Sequence, residues 1–353
     1  MRAPAFWWRR PGLASALLSP IGAVVGAIAL ARMGKAGGQV DAPVLCIGNP
    51  TVGGAGKTPT AIALLEHLKA RGATPFALLR GHGGTARMPL QVDPALHGAD
   101  AVGDEALLLA RHAPTIVAGG ARRAGADMAV AAGASHIVMD DGFQNPSLHK
   151  DVSILVVDGT VGVGNACITP AGPLRAPLKP QLARADAVLV VGDGPAGDAM
   201  ATEAAQAGCA VLRGRLVPDP AAVAALRGVP LIAFAGIGRP EKFFATLEGE
   251  GLTLLARHAF ADHHPFHPAE IARLAQAARA QGARLVTTEK DRARLSGQAF
   301  TGQTFAGQTF AGEALAGVLD AIATLPVTLT LDDPQALDAL IDRAEARWRD
   351  RRA

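Results

Sequence analysis

The chain has 353 residues, of which 49% are hydrophobic, enough apolar surface for two cores, so disorder is not the default expectation. Net charge is +3, charged residues make up only 18%, and the arginines are scattered rather than striped, so no nucleic-acid partner is expected. Cys46, Cys167 and Cys209 carry no CxxC spacing, which argues against a disulfide framework or a structural zinc site and suits a reducing compartment.

At the N-terminus, Trp7, Trp8, Arg9 and Arg10 precede an uncharged run from Pro11 to Ala31, closed by Arg32 and Lys35. About 20 apolar residues could span a bilayer, although Pro20 interrupts them. Tryptophans beside arginines are what an interfacial anchor uses. The rival readings are a cleaved signal peptide and a helix packed on its own domain. Residues 1–35 are therefore expected to form a membrane-associating helix.

From Val44 onward short apolar runs (VLCIG, FALLRG, TIVAG, HIVMDDG, SILVVDG, AVLVVGD) alternate with alanine-rich helical stretches. This pattern predicts an α/β fold, a doubly wound and mostly parallel sheet covered on both faces. A second series, AVLRGRLV, PLIAFAGI and RLVTTEKD, predicts a smaller α/β domain over 209–333, after a first domain at 36–208. The terminal helix, 334–353, is expected to pack back on the first domain. A five-residue repeat bearing Phe300, Phe305 and Phe310 is assigned no function.

Strand VLCIG runs into NPTVGGAGKTPT and then a helix, the context a phosphate-binding loop requires. The nucleotide is expected along Thr51, Val52, Gly53, Gly54, Ala55, Gly56, Lys57 and Thr58. Backbone amides would meet phosphate oxygens, Lys57 would add a point charge, and Thr58 would ligate magnesium. The leading glycine of the full pattern is replaced by Thr51. A second apolar run ends at Asp140 and Asp141, placing carboxylates at the rim that carries the loop, where they could hold the metal. A partner-driven switch or metal-delivery ATPase is the alternative, but its diagnostic lysine is replaced by Val52. Guanine specificity lacks its motif, since Thr288, Glu289, Lys290 and Asp291 stand in the wrong order.

With these residues in view, the chain resembles the tetraacyldisaccharide 4'-kinase family along most of its length. The resemblance rests on GNPTVGGAGKTP at 48–59, LLRGHGG at 78–84, VGDEALLLA at 102–110 and MDDGFQN at 139–145. It continues through GNACITPAGPLRAPL at 164–178, FAGIGRPEKFF at 234–244, FADHHPF at 260–266 and TTEKD at 287–291. His82, Ala106, Phe143 and Asn145 depart from the family's usual residues. The resemblance implies a kinase on the cytoplasmic face of the bacterial inner membrane. Such an enzyme moves the γ-phosphate of ATP, with magnesium, to the 4'-hydroxyl of a tetraacylated glucosamine disaccharide 1-phosphate. A monomer of two α/β domains joined by a two-stranded linker is expected, with the active site in the cleft. By the same resemblance Asp104 is the catalytic base and His263 its partner, and Arg122 joins Lys57 on the phosphates. Gln144 completes the metal or nucleotide shell. Arg175 either meets the acceptor's 1-phosphate or is an exposed arginine on a proline-stiffened loop.

Overall fold

The computed structural model describes residues 3–296, 304–305, 308–309 and 312–353. The repeat around Phe300, Phe305 and Phe310 lies largely outside the described residues. In chain order the strands of the first half are β1 (Val44–Gly48), β2 (Pro75–Leu79), β3 (Leu90–Gln91), β4 (Thr115–Val117), β5 (His136–Asp140), β6 (Val152–Asp158), β7 (Ala187–Val191) and β8 (Ala210–Pro218). Those of the second half are β9 (Leu231–Ala235), β10 (Leu254–Ala259), β11 (Arg284–Thr287), β12 (Thr304–Phe305), β13 (Gln308–Thr309), β14 (Ala323–Thr324) and β15 (Val327–Leu331).

Nine strands form one sheet in the order β15-β8-β7-β6-β1-β5-β2-β4-β3, parallel except for the pairs β3–β4 and β8–β15. Its central strands are buried along their whole length because helices cover both faces, which is why they read as unbroken apolar runs. β1 lies between β5 and β6, and Ile47 is in register with Asp140. The loop after β1 and the carboxyl end of β5 therefore emerge side by side, at the rim where open α/β sheets bind ligands. A second, all-parallel sheet has the order β10-β9-β11-β14. It has its own apolar clusters, centred on Leu231, Phe244 and Leu247 on one face and on Phe234, Phe266 and Ile271 on the other.

The break expected after residue 208 is corrected by β8. That strand, expected to open the smaller unit, belongs to the larger sheet: Ala210–Gly214 pairs with β7, and Gly214–Pro218 pairs antiparallel with β15. The chain thus leaves the large sheet after Pro218 and re-enters at Val327, through two adjacent strands.

The last helix, Gln335–Asp350, lies on the large sheet with Leu337, Leu340, Ile341 and Ala344 buried. Polar contacts pin it: Asp338 meets His67 and Arg71, Glu345 meets His136, and Arg351 grips the fully buried Asp151 through both carboxylate oxygens. Asp151 also accepts the Val44 amide at the start of β1. Arg351→Ala leaves that buried carboxylate without its counter-charge and is expected to cost on the order of 3 kcal/mol, read as a lower urea midpoint.

The N-terminal helix, Leu13–Met33, continues through Pro20. Ser15, Gly22 and Gly26 face the protein: the Ser15 hydroxyl accepts from Asn165, and a Cβ on Gly22 would come within 2.8 Å of the Ile168 carbonyl oxygen. The opposite face exposes Leu13, Leu17, Ile21, Val24 and Ile28, spaced as one helical stripe. Trp7 does not serve as the anchor its sequence position suggested. It is buried, and its indole N–H donates to the Pro170 carbonyl at 3.0 Å.

Candidate active site

The loop from Pro50 to Gly56 is held from outside. Asn49 Nδ2 donates to the Gly53 carbonyl, the Val52 amide donates to the Pro173 carbonyl, and Arg175 Nε donates to the Thr51 carbonyl. Val52 and Thr51 thus serve the frame more than the ligand. Gly53 and Gly56 take φ of 117° and 98°, which side chains resist. Among the described residues none accepts a hydrogen bond from the amides of Gly53 through Thr58. These amides, at the N-terminus of the helix Lys57–Ala70, form an anion cradle reinforced by the helix dipole.

The two aspartates after β5 differ sharply. Asp141, itself at φ 53°, is clamped by Arg175 at 2.6 and 3.2 Å and lies 3.8 Å from Lys57 Nζ. Burial works to raise its pKa, but Lys57 and Arg175 prevail and bring it down to about 2. Asp140 is fully buried, and neither carboxylate oxygen has a hydrogen-bond partner. Burial, with the nearby Glu105 carboxylate adding to it, pushes its pKa up to about 7. An unpaired carboxylate in such surroundings calls for a cation. The Thr58 hydroxyl, buried and 3.5 Å from Oε1 of the Glu105 whose charge acts on Asp140, adds a hard oxygen of the kind that suits a magnesium ion. Asp141, by contrast, is already neutralised.

Opposite the loop, the smaller unit presents its own side chains to a buried carboxylate at the start of the helix Asp104–Leu109. Asp104 Oδ1 accepts the Glu105 amide, and Oδ2 accepts from His263 Nδ1 at 3.2 Å and from Arg294 Nη2. Burial opposes ionisation, but the His263 hydrogen bond and the charges of Arg294, His263 and Lys290 outweigh it, holding Asp104 well below the usual carboxylate range. The same hydrogen bond raises His263. Residues 104 and 263, far apart in sequence, are thus brought into contact. Next to them Lys290 Nζ binds Glu105 Oε1 at 2.6 Å, and both groups feel the charges around the loop.

Two expected residues have different surroundings from those foreseen. Gln144 donates to the Asn49 carbonyl and to Gln181, and accepts from Arg175, so its amide braces the loop rather than standing open to metal or nucleotide. Arg122 is buried at the start of the helix Arg122–Ala131, with Nη1 on the Gly119 carbonyl and Nε without a partner. Burial and the neighbouring Arg80 pull its pKa down to about 10. Arg175 meets Asp141. Lys290, Arg294, Asp291 and Asn49 were not foreseen as site residues.

Comparisons with known proteins identify the family. The sequence profile of LpxK, described as tetraacyldisaccharide-1-P 4'-kinase, matches residues 14–346. A tetraacyldisaccharide 4'-kinase of Xanthobacter autotrophicus is 84% identical over 352 residues, covering 100% of both chains. One from Azorhizobium caulinodans is 54% identical over 346 residues, 98% of each chain. The crystal structure of the "apo" form of LpxK from Aquifex aeolicus in complex with ATP aligns with a TM-score of 0.69 at 22% identity. That alignment covers 94% of this chain and 99% of that one, and it supports the fold alone. A profile match over nearly the whole length and relatives this similar leave one assignment: the chain is a member of the tetraacyldisaccharide-1-P 4'-kinase family.

Proposed function

We propose that this chain transfers the γ-phosphate of ATP to the 4'-hydroxyl of a tetraacylated glucosamine disaccharide 1-phosphate. The observation that carries the reading is the meeting of two half-sites. The larger sheet supplies unengaged amides, Lys57 and the unpaired Asp140, and the smaller unit closes His263 onto Asp104 beside them. Gly238 of the smaller unit sits so close to the loop that a Cβ there would lie 3.0 Å from the Gly54 nitrogen.

Phosphoryl transfer needs positioning and charge neutralisation more than covalent help from the protein. The loop amides and Lys57 hold the phosphates, and Arg122 supplies a further positive charge. The acceptor oxygen attacks the γ-phosphorus, the bond to the bridging β–γ oxygen breaks, and ADP leaves. The Asp104–His263 pair orients the hydroxyl and takes its proton. A loose transition state releases that proton late, so a carboxylate held ionised by its neighbours is strong enough for the task. Thr58 and Asp140 would hold magnesium, which would neutralise charge on the phosphate oxygens.

The exposed stripe of the N-terminal helix is read as the contact with the cytoplasmic face of the inner membrane, where a tetraacylated acceptor would reside. The helix is long and apolar enough to cross a bilayer, with a mean hydropathy of 2.1, but its glycine face is docked on the protein. Lying in the interface with the stripe inserted satisfies both faces. Leu17→Asp with Val24→Asp is expected to abolish sedimentation with anionic phospholipid vesicles while ATP binding persists; undiminished sedimentation would refute the assignment.

The activity is tested by incubating protein, ATP and magnesium with the acylated disaccharide 1-phosphate and, separately, with its deacylated sugar. Label should appear at the 4' position of the acylated substrate. ATP hydrolysis without transfer to any acceptor would instead favour the switch-type ATPase.

A further inference from the structure

We propose that Arg294 is a positioning residue for transfer, fixing the carboxylate plane of Asp104 so that it meets His263 and the acceptor hydroxyl together. This rests on the reading of Asp104 and His263 given above. Arg294 lies on the helix Glu289–Ser296 of the smaller unit, is buried, and reaches across the cleft. Everything that orients its guanidinium except Asp104 belongs to its own unit. Nη1 donates to the Gly236 carbonyl at 3.3 Å, the His264 carbonyl at 3.2 Å and Asp291 Oδ1 at 2.9 Å, and the Phe266 ring lies 5.8 Å away. Asp291 is itself fixed by the Gly236 amide and the Thr288 hydroxyl. The cation is therefore aimed by contacts within its own unit.

Gly236 ties this cation to the histidine. Its carbonyl also accepts the His263 amide at 3.0 Å, at a residue held at φ 54°. Arg294 and His263 thus form one rigid jaw that delivers two donors to the same oxygen, Oδ2 of Asp104. Oδ1 keeps the Glu105 amide and retains a lone pair. One turn earlier, Lys290 engages Glu105, so the helix reads two consecutive carboxylates with two cations four residues apart. A guanidinium suits this role because its planar fork can bind two carbonyls and two carboxylates at once, which an ammonium cannot.

The test is a double-mutant cycle of Arg294→Met and Asp104→Asn, with kcat for 4'-phosphorylation, KM for ATP and the melting temperature measured for each protein. With Asp104 present, Arg294→Met is expected to lower kcat about 100-fold, the scale of a misplaced catalytic group, with KM for ATP within about 3-fold of wild type. In the Asp104→Asn background the same change should cost less than about 3-fold, because the group it positions is gone. Arg294→Lys should recover kcat to within about 10-fold of wild type by keeping the charge and losing the fork. Equal losses in both backgrounds, or an Arg294→Met enzyme of wild-type kcat, would overturn the proposal. Should Arg294→Met not fold, Arg294→Lys run through the same cycle decides, with a loss expected only where Asp104 remains. Wild-type transfer to the disaccharide is the separate control: its failure strikes the functional reading, whereas an additive cycle in an active enzyme strikes Arg294 alone.

Discussion

Asp104→Asn is expected to lower kcat by about 1,000-fold while leaving KM for ATP within a few-fold of wild type. The nucleotide side of the cleft, Lys57 and the loop amides, does not touch Asp104, so binding should survive. What fails is the acceptor side. An amide cannot take the hydroxyl proton, and at Oδ2 it would either turn an NH₂ group toward two donors or leave the buried Arg294 with Asp291 as its one remaining carboxylate partner. Steady-state kinetics with both substrates varied would show this split, and turnover within about 3-fold of wild type would remove Asp104 from the mechanism. The same contact has a pH signature in stability. His263 is raised above its ordinary 6.5 and Asp104 is depressed below its ordinary 3.8, so their mutual stabilisation is fully present between those values. It fades as pH rises through the folded value of His263, and also in acid below 3.8. The difference in melting temperature between wild type and His263→Asn should accordingly shrink as pH is raised above neutrality.

The parts of this site that were legible in the sequence are local. Strand, glycine loop and helix are contiguous from Val44 to Ala70, and a run of buried residues ending in Asp140 fixes the rim on which that carboxylate lies. Parts built by distant segments were not legible. Lys290 and Asp291 stand in a string that was weighed only as a failed guanine motif. Its meaning depends on a helix from the second unit meeting Asp104 and Glu105, and no spacing encodes that. Arg175 could be read as substrate-facing because nothing near it in the chain announces that Asp141 and the Thr51 carbonyl lie beside it. Trp7 shows the limit of composition. Indole beside arginine fits an interface as well as a core, and the Pro170 carbonyl decides between them. The misplaced boundary at residue 208 has a similar cause: β8 is patterned like any edge strand, and only its two partners, β7 and β15, reveal which sheet owns it.

Asp140→Asn should abolish magnesium-dependent turnover, by about 1,000-fold, and at the same time stabilise the metal-free protein. Both effects follow from one feature, a fully buried carboxylate with no hydrogen-bond donor on either oxygen. Without metal the charge is a burden. Its pKa is raised from 3.8 to about 7, so the folded protein holds more protons than the unfolded chain across that window, and stability falls as pH rises through it. The amide carries no charge and removes that slope, so at alkaline pH in chelator the variant should melt about 3 °C or more above wild type. Magnesium with ATP reverses the order, because only the carboxylate gives the cation an anionic ligand, and binding to the folded state alone raises its melting temperature. Asp141 supplies the contrast. Already paired with Lys57 and Arg175, it gains nothing from neutralisation, and Asp141→Asn should lower the melting temperature in chelator. Thermal melts of the three proteins, with and without magnesium and ATP, separate the two aspartates. A wild-type protein that melts above Asp140→Asn in chelator would show that the carboxylate is already satisfied and that the metal is held elsewhere.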